Sequence, residues 1–219
     1  SNSIIDAEAL NRGTSVYLAN EVVPMLPEKL SNNICSLIAK KDRMTYSVMI
    51  QITYKGEVRK YEILKSIINS NRRFSYEEVQ LILDKGKGDY HSVLKEMYAL
   101  SQVLNKNRIK KGSIDFETSE VKFRYDQHGK PTDIVKKVRL GAHRLVEEFM
   151  LLANRIVAEQ IGREKKNKKP FIYRIHDKPD KEKLVELGKF VSQFGYSLSS
   201  EAGTSSKSLQ KLLNDVKGK

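Results

Sequence analysis

The chain has 219 residues, with 40 lysines and arginines against 27 aspartates and glutamates and a formal net charge of +13, which predicts attraction to a polyanion, nucleic acid first among them, with the evenly weighted alternative that the charge only solubilises the surface. At 39% hydrophobic residues it can bury a core of its own, most simply as one domain. The single cysteine, Cys35, excludes an internal disulfide and suits a reducing cytoplasm.

From Tyr46 to Tyr54 the residues Tyr46, Val48, Ile50, Ile52 and Tyr54 alternate with Ser47, Met49, Gln51 and Thr53, the period of a half-buried strand. Lys55-Gly56 supplies a turn, and Val58 to Ile68 returns as the second strand of a hairpin. Ser75 followed by Glu78 reads as a capping box opening a helix that runs to about Leu83. Beyond the Gly86 to Gly88 break, Val93, Leu94, Met97, Tyr98 and Leu104 keep helical spacing, which predicts a helix over His91 to Asn107. A second hairpin follows, with Ile114 to Tyr125 and Thr132 to Val138 flanking a turn at His128-Gly129.

Leu140 to Ile161 carries Leu145, Phe149, Leu152 and Ile156 at spacings of four, three and four, which predicts a central helix packed on its neighbours. Glu147, Glu148, Asn154, Arg155 and Glu159 interrupt this stretch, so it does not read as a membrane span. Glu164 to Lys169 forms a basic linker, Pro170 to His176 an extended segment, Asp180 to Phe194 a surface helix, and Ser205 to Val216 a tail helix with Leu209, Leu212, Leu213 and Val216 in line. The fold class is therefore α+β: antiparallel hairpins against a long central helix, with a helical C-terminal part.

Several chemistries find no support. His91, His128, His143 and His176 lie far apart without metal-ligand spacing. No Gly-rich phosphate loop or serine-nucleophile motif is present. Cys35, between Ile34 and Leu37, reads as a buried inert residue rather than a catalytic thiol.

Six sequence blocks carry more specific information. They are Arg12 to Leu37 (RGTSVYLANEVVPMLPEKLSNNICSL), Asp42 to Tyr46 (DRMTY), Asn107 to Phe116 (NRIKKGSIDF), Gly129 to Val138 (GKPTDIVKKV), His143 to Glu159 (HRLVEEFMLLANRIVAE) and Pro170 to Lys181 (PFIYRIHDKPDK). In this order they resemble the RNB catalytic domain of the ribonuclease II / ribonuclease R family, hydrolytic exonucleases that shorten single-stranded RNA from its 3′ end with a divalent metal. The resemblance covers nearly the whole chain.

Two expected elements of that family are missing. One is the metal site, an aspartate, five intervening residues and Asp-x-Asp-Asp, which should lie upstream of the RGTSVYL block. The other is a downstream Ser-Pro-Ile-Arg segment. Together with the opening Ser1-Asn2-Ser3, which reads as an expression scar, this leads us to expect residues 4–219 to be the middle portion of an RNB domain. It would form the RNA channel of a longer Mg²⁺-dependent exoribonuclease, cleave nothing alone, and lack the Mg²⁺ ligands. The alternative is a non-catalytic RNA-binding or assembly protein of the same family. A domain cut through its sheet would also leave strand edges open to self-association.

The resemblance implies roles for four residues. Tyr17 and Phe116 match aromatics that stack on bases at the two ends of the bound RNA segment, an arrangement that accepts any sequence because every base has a π-face. Tyr76 and Glu147 match residues that distinguish RNA from DNA, for which a phenol and a carboxylate suit the ribose 2′-hydroxyl. Taken without the resemblance, both stacking aromatics read as core residues, Tyr76 as helix-start packing and Glu147 as an ion pair with Arg144. Lys106, Arg108, Lys110 and Lys111, and the cluster Lys165, Lys166, Lys168 and Lys169, are either phosphate guides or solvated surface.

Overall fold

In the computed structural model, the described residues are 2–115, 120–163, 170–173, 175, 177, 179–198 and 206–216. They form an α+β fold of six α-helices, one π-helical turn and three two-stranded sheets. The chain divides into two compact units, one of Ser1–Ile50, Tyr61–His91 and Ser119–His143, the other of Gln51–Lys60, Ser92–Thr118 and Arg144–Lys219.

The first unit opens with α1 (Ile4–Arg12), capped by the Ser3 hydroxyl, which accepts from the Asp6 amide at 3.2 Å. Strands β1 (Val16–Tyr17) and β2 (Val22–Val23) then form a minimal antiparallel ladder. A π-helical turn over Lys29–Ile34 follows. Arg43 clasps this turn, its guanidinium donating to the Ser36 carbonyl at 3.0 Å and to Asn33 Oδ1 at 3.2 Å. None of these N-terminal elements is signalled by periodicity, because each is too short to show one.

The predicted hairpin is present as β3 (Asp42–Ile52) and β4 (Val58–Asn69). Its alternation differs from the expected one. Tyr46 is 75% exposed, whereas Thr45 and Ser47 are half-buried, so the pattern changes phase at Ser47 and Val48. Polar side chains can face inward here because three hydroxyls satisfy one another: Thr45 and Ser66 lie 2.8 Å apart, Ser47 and Ser66 2.6 Å, and Thr45 and Ser47 3.1 Å. Helix α2 (Tyr76–Lys85) follows as predicted. The last hairpin pairs β5 (Glu120–Tyr125) with β6 (Pro131–Lys137), from Glu120 opposite Lys137 to Arg124 opposite Asp133. Its first strand is shorter than expected, since Ile114 and Asp115 have no regular structure.

The second unit is mainly helical, with α5 (Lys181–Ser192), α6 (Ser206–Val216) and all but the first residues of α3 (His91–Lys110) and α4 (Gly141–Arg163), which begin in the first unit. Among the described residues its buried hydrophobic side chains are Leu104 on α3, Leu145, Leu152 and Ile156 on α4, Val191 on α5 and Leu212 on α6. The tip of the first hairpin joins this unit: Asn107 Nδ2 on α3 donates to the Lys55 carbonyl at 3.1 Å. Gln210, buried on α6, accepts the Asp115 amide at 2.8 Å.

Two burial expectations are corrected. Cys35 is exposed, and so are its neighbours Ile34 and Leu37; apolar neighbours marked a surface segment here, not the core. On α4, Phe149 is only half-buried and Glu148, 3% exposed, stands in the buried stripe. Residues 145, 148, 152 and 156 lie on one helical face as well as 145, 149, 152 and 156 do, so the apolar pattern concealed the carboxylate. The basic linker and part of the segment after it lie outside the described residues, and the described positions 170–173 and 175 have no regular structure.

Candidate nucleic-acid interface

Tyr17 stands on β1 opposite Val22 and is 79% exposed. The short ladder is held from both sides. The Leu18 amide donates to the Glu21 carbonyl at 2.9 Å, and Arg12 at the end of α1 donates to the Pro24 carbonyl at 2.9 Å while pairing with Glu8 at 2.7 Å. The Met25 amide donates to Ser15 Oγ at 3.0 Å. These bonds fix the backbone of the RGTSVYL block and leave the Tyr17 ring turned outward, which its reading as a core residue did not foresee.

Tyr76 is the first residue of α2. Its backbone is set by the capping box: Ser75 Oγ accepts from the Glu78 amide at 3.1 Å, and the Glu78 carboxylate accepts from the Ser75 amide at 2.7 Å. That second bond is the main reason the Glu78 carboxyl is held below its ordinary pKa. Arg72 reinforces this helix start, lying over the Phe74 ring at 4.4 Å, 3.6 Å from Glu78 and paired with Asp89. The Tyr76 ring is 43% exposed and stacks on His143 with centroids 4.1 Å apart and planes 17° from parallel.

Glu147 is half-buried on α4. Tyr17 and Tyr76 belong to the first unit and Glu147 to the second. Phe116, the remaining residue given a role by resemblance, lies outside the described residues, as does the cluster Lys165, Lys166, Lys168 and Lys169. Among the described residues no group of three or more His, Cys, Asp or Glu side chains could hold a metal ion, so those residues do not fit a Mg²⁺ site, and the sequence contains no Asp-x-Asp-Asp.

The sequence reading missed the neighbour of Glu147. Glu148 accepts from Arg108 Nη2 at 2.7 Å and from Asn105 Nδ2 at 2.8 Å, with Arg108 Nε at 3.2 Å. The hydrogen bond to Glu148 is the leading cause raising the Arg108 pKa above its ordinary value. Arg108 is therefore paired with an internal carboxylate, which corrects its reading as solvated surface. A nearby ion pair links Arg144 to Asp115 at 3.8 Å.

The whole chain, residues 1–219, matches the RNB domain family. Ribonuclease R of Thermotoga maritima is 39% identical over 221 residues, covering 98% of this chain and 31% of that protein. Ribonuclease R of Escherichia coli strain K12 is 36% identical over 201 residues, covering 89% of this chain and 24% of that protein. The solved structure of Mycoplasma genitalium RNase R in complex with ribose-methylated single-stranded RNA superposes with a TM-score of 0.89 at 31% identity, covering all of this chain and 35% of that one. The chain thus spans about a third or less of the length of these relatives. On its match along the entire sequence and its agreement in fold, this protein belongs to the RNB domain family.

Proposed function

We propose that this chain forms the RNA-binding channel portion of a 3′-to-5′ exoribonuclease of the ribonuclease R type, acting on single-stranded RNA. The observation that carries this reading is the outward-facing Tyr17 ring, 79% exposed on a backbone tied down from both sides, in a chain matched to the RNB domain throughout. A fixed, exposed aromatic offers a stacking face to any base. The net charge of +13 adds a sequence-independent attraction for phosphate. Tyr76 and Glu147 would recognise the ribose 2′-hydroxyl, and Phe116 would stack at the far end of the bound segment.

Catalysis requires groups this chain does not supply. Mg²⁺ chemistry, in this proposal, belongs to the longer enzyme, whose aspartates would hold the ion. This chain's residues bind and orient the strand. We further propose a cytoplasmic location, which suits the exposed free thiol of Cys35; no helix among the described residues is long and apolar enough to cross a membrane. Each described sheet is a two-stranded ladder, so self-association through outer strand edges is part of the proposal. A sedimentation coefficient independent of concentration would overturn that part.

The main test is to incubate the pure chain with 5′-labelled oligo(A), with and without Mg²⁺. Binding that weakens as salt rises, with the label remaining on intact RNA, is the expected result. A Mg²⁺-dependent ladder of shortened products would overturn the assignment of catalysis to groups outside the chain. Absence of binding at low salt would overturn the channel reading itself.

A further inference from the structure

Two helix starts meet in the first unit, and the residue that joins them has no role in the reading so far. Helix α4 begins at Gly141, which makes Leu140 its N-cap position and His143 its third residue. His143 closes the helix start as a glutamate does in a capping box: its Nδ1 accepts the Leu140 amide at 3.1 Å, while the His143 amide donates to the Leu140 carbonyl at 3.2 Å. With Nδ1 accepting, the neutral ring carries its proton on Nε2. The ring orientation is fixed by the backbone it caps.

The fixed ring is the one against which Tyr76 lies, centroids 4.1 Å apart and planes 17° from parallel. One turn further along α2, Gln80 Oε1 accepts the Ala142 amide at 3.1 Å. This satisfies a free donor of α4 and ties the two helix starts beside the stack. The Tyr76 backbone is meanwhile held by Ser75 and Glu78. A phenol that is to read a 2′-hydroxyl must be held in place, because hydrogen bonds weaken steeply with misalignment.

We propose that His143 is the positioning residue for Tyr76: it orients the Tyr76 ring by face-to-face stacking, and through that ring it sets preference for ribose over deoxyribose. This rests on the reading of Tyr76 as a sugar-sensing residue.

Two substitutions separate stacking from capping. His143→Gln keeps an acceptor at the third helical position and removes the ring; His143→Phe keeps a ring and removes the acceptor. The readout is the ratio of affinities of the full chain for oligo(A) and oligo(dA) of equal length, measured alongside thermal unfolding. His143→Gln should lower the ratio about two- to tenfold, the range expected for loss of one aromatic pair, with little change in unfolding temperature. His143→Phe should retain the ratio while unfolding earlier. Tyr76→Ala should lower the ratio as His143→Gln does, and the double variant Tyr76→Ala/His143→Gln should lose no more than Tyr76→Ala alone.

If Tyr76→Ala lowers the ratio but His143→Gln does not, the positioning role is wrong and the sugar-sensing reading survives. A ratio that follows the loss of the cap in His143→Phe likewise overturns it. If Tyr76→Ala leaves the ratio unchanged, the sugar-sensing reading fails and the positioning role falls with it.

Discussion

The Glu148 carboxylate, 3% exposed, is held by the Arg108 guanidinium at 2.7 Å and by the Asn105 amide at 2.8 Å, joining α3 to α4 within the second unit. A carboxylate in this position is tolerated only with such partners. Removing one member leaves an uncompensated buried charge, at a cost of about 3–5 kcal/mol. Arg108→Met should therefore lower the urea midpoint strongly. Arg108→Met combined with Glu148→Leu should recover most of the loss, because the pair is then replaced by apolar surface. If Arg108→Met proves neutral by urea unfolding, the pair does not act as described.

Tyr17→Ala should weaken binding of oligo(A) and oligo(dA) alike, by about 5- to 150-fold for a stacking contact of ~1–3 kcal/mol. Stacking on a base does not sense the sugar, so the ratio between the two ligands should stay constant. Unfolding temperature should also hold, since the ring is exposed. Fluorescence anisotropy titrations of both oligomers check this.

The capping box on α2 gives a pH dependence of known sign. Glu78 has a lowered pKa in the folded chain, chiefly through the hydrogen bond from the Ser75 amide. Its contribution to stability is then complete above the ordinary carboxylate range and is lost as pH falls through the lowered folded value. Between neutral and acid pH the native chain should lose more stability than Glu78→Gln does, as measured by urea unfolding at each pH. Ser75→Ala should cost about 1 kcal/mol at neutral pH.

Two glycines between α2 and α3 should respond unequally to alanine. Gly86 has φ +64° and no atom within 4 Å of an added Cβ, so Gly86→Ala should cost about 1–2 kcal/mol for the left-handed backbone alone. Gly88 has φ +136°, and a Cβ there would lie 2.9 Å from Ile82 Cγ1. Gly88→Ala adds that overlap to the backbone strain and should be the more damaging. Thermal unfolding of the two variants gives the order directly.

The sequence made most of this fold legible where a local rule and the tertiary structure agree. The Ser75–Glu78 box forms both of its expected bonds, and α4 runs one residue inside and two residues beyond the limits set by its apolar spacing. Legibility failed where a long-range partner decides the outcome. The ladder at Tyr17 and the π-helical turn are braced by Arg12 and Arg43, which donate to the Pro24 and Ser36 carbonyls, contacts that leave no periodic trace in the sequence. Adjacent glutamates look alike in sequence, and only the placement of Arg108 and Asn105 on α3 shows which of them faces inward. Of the residues proposed for the interface, Tyr17 and Tyr76 could be named from resemblance. His143 could not, because its proposed role arises from the ring it touches.

The hydroxyl cluster of Thr45, Ser47 and Ser66 has a consequence for how β3 finds its place on β4. Apolar faces tolerate sliding, since one greasy contact replaces another. A shift of β3 by one residue would turn Thr45 and Ser47 to the opposite side and bring Met44 and Tyr46 against Ser66, breaking all three hydrogen bonds together. The polar inner face thereby acts as a keyed joint, selecting a single alignment of a hairpin whose outer side chains, Met44 and Tyr46 among them, supply little of that discrimination.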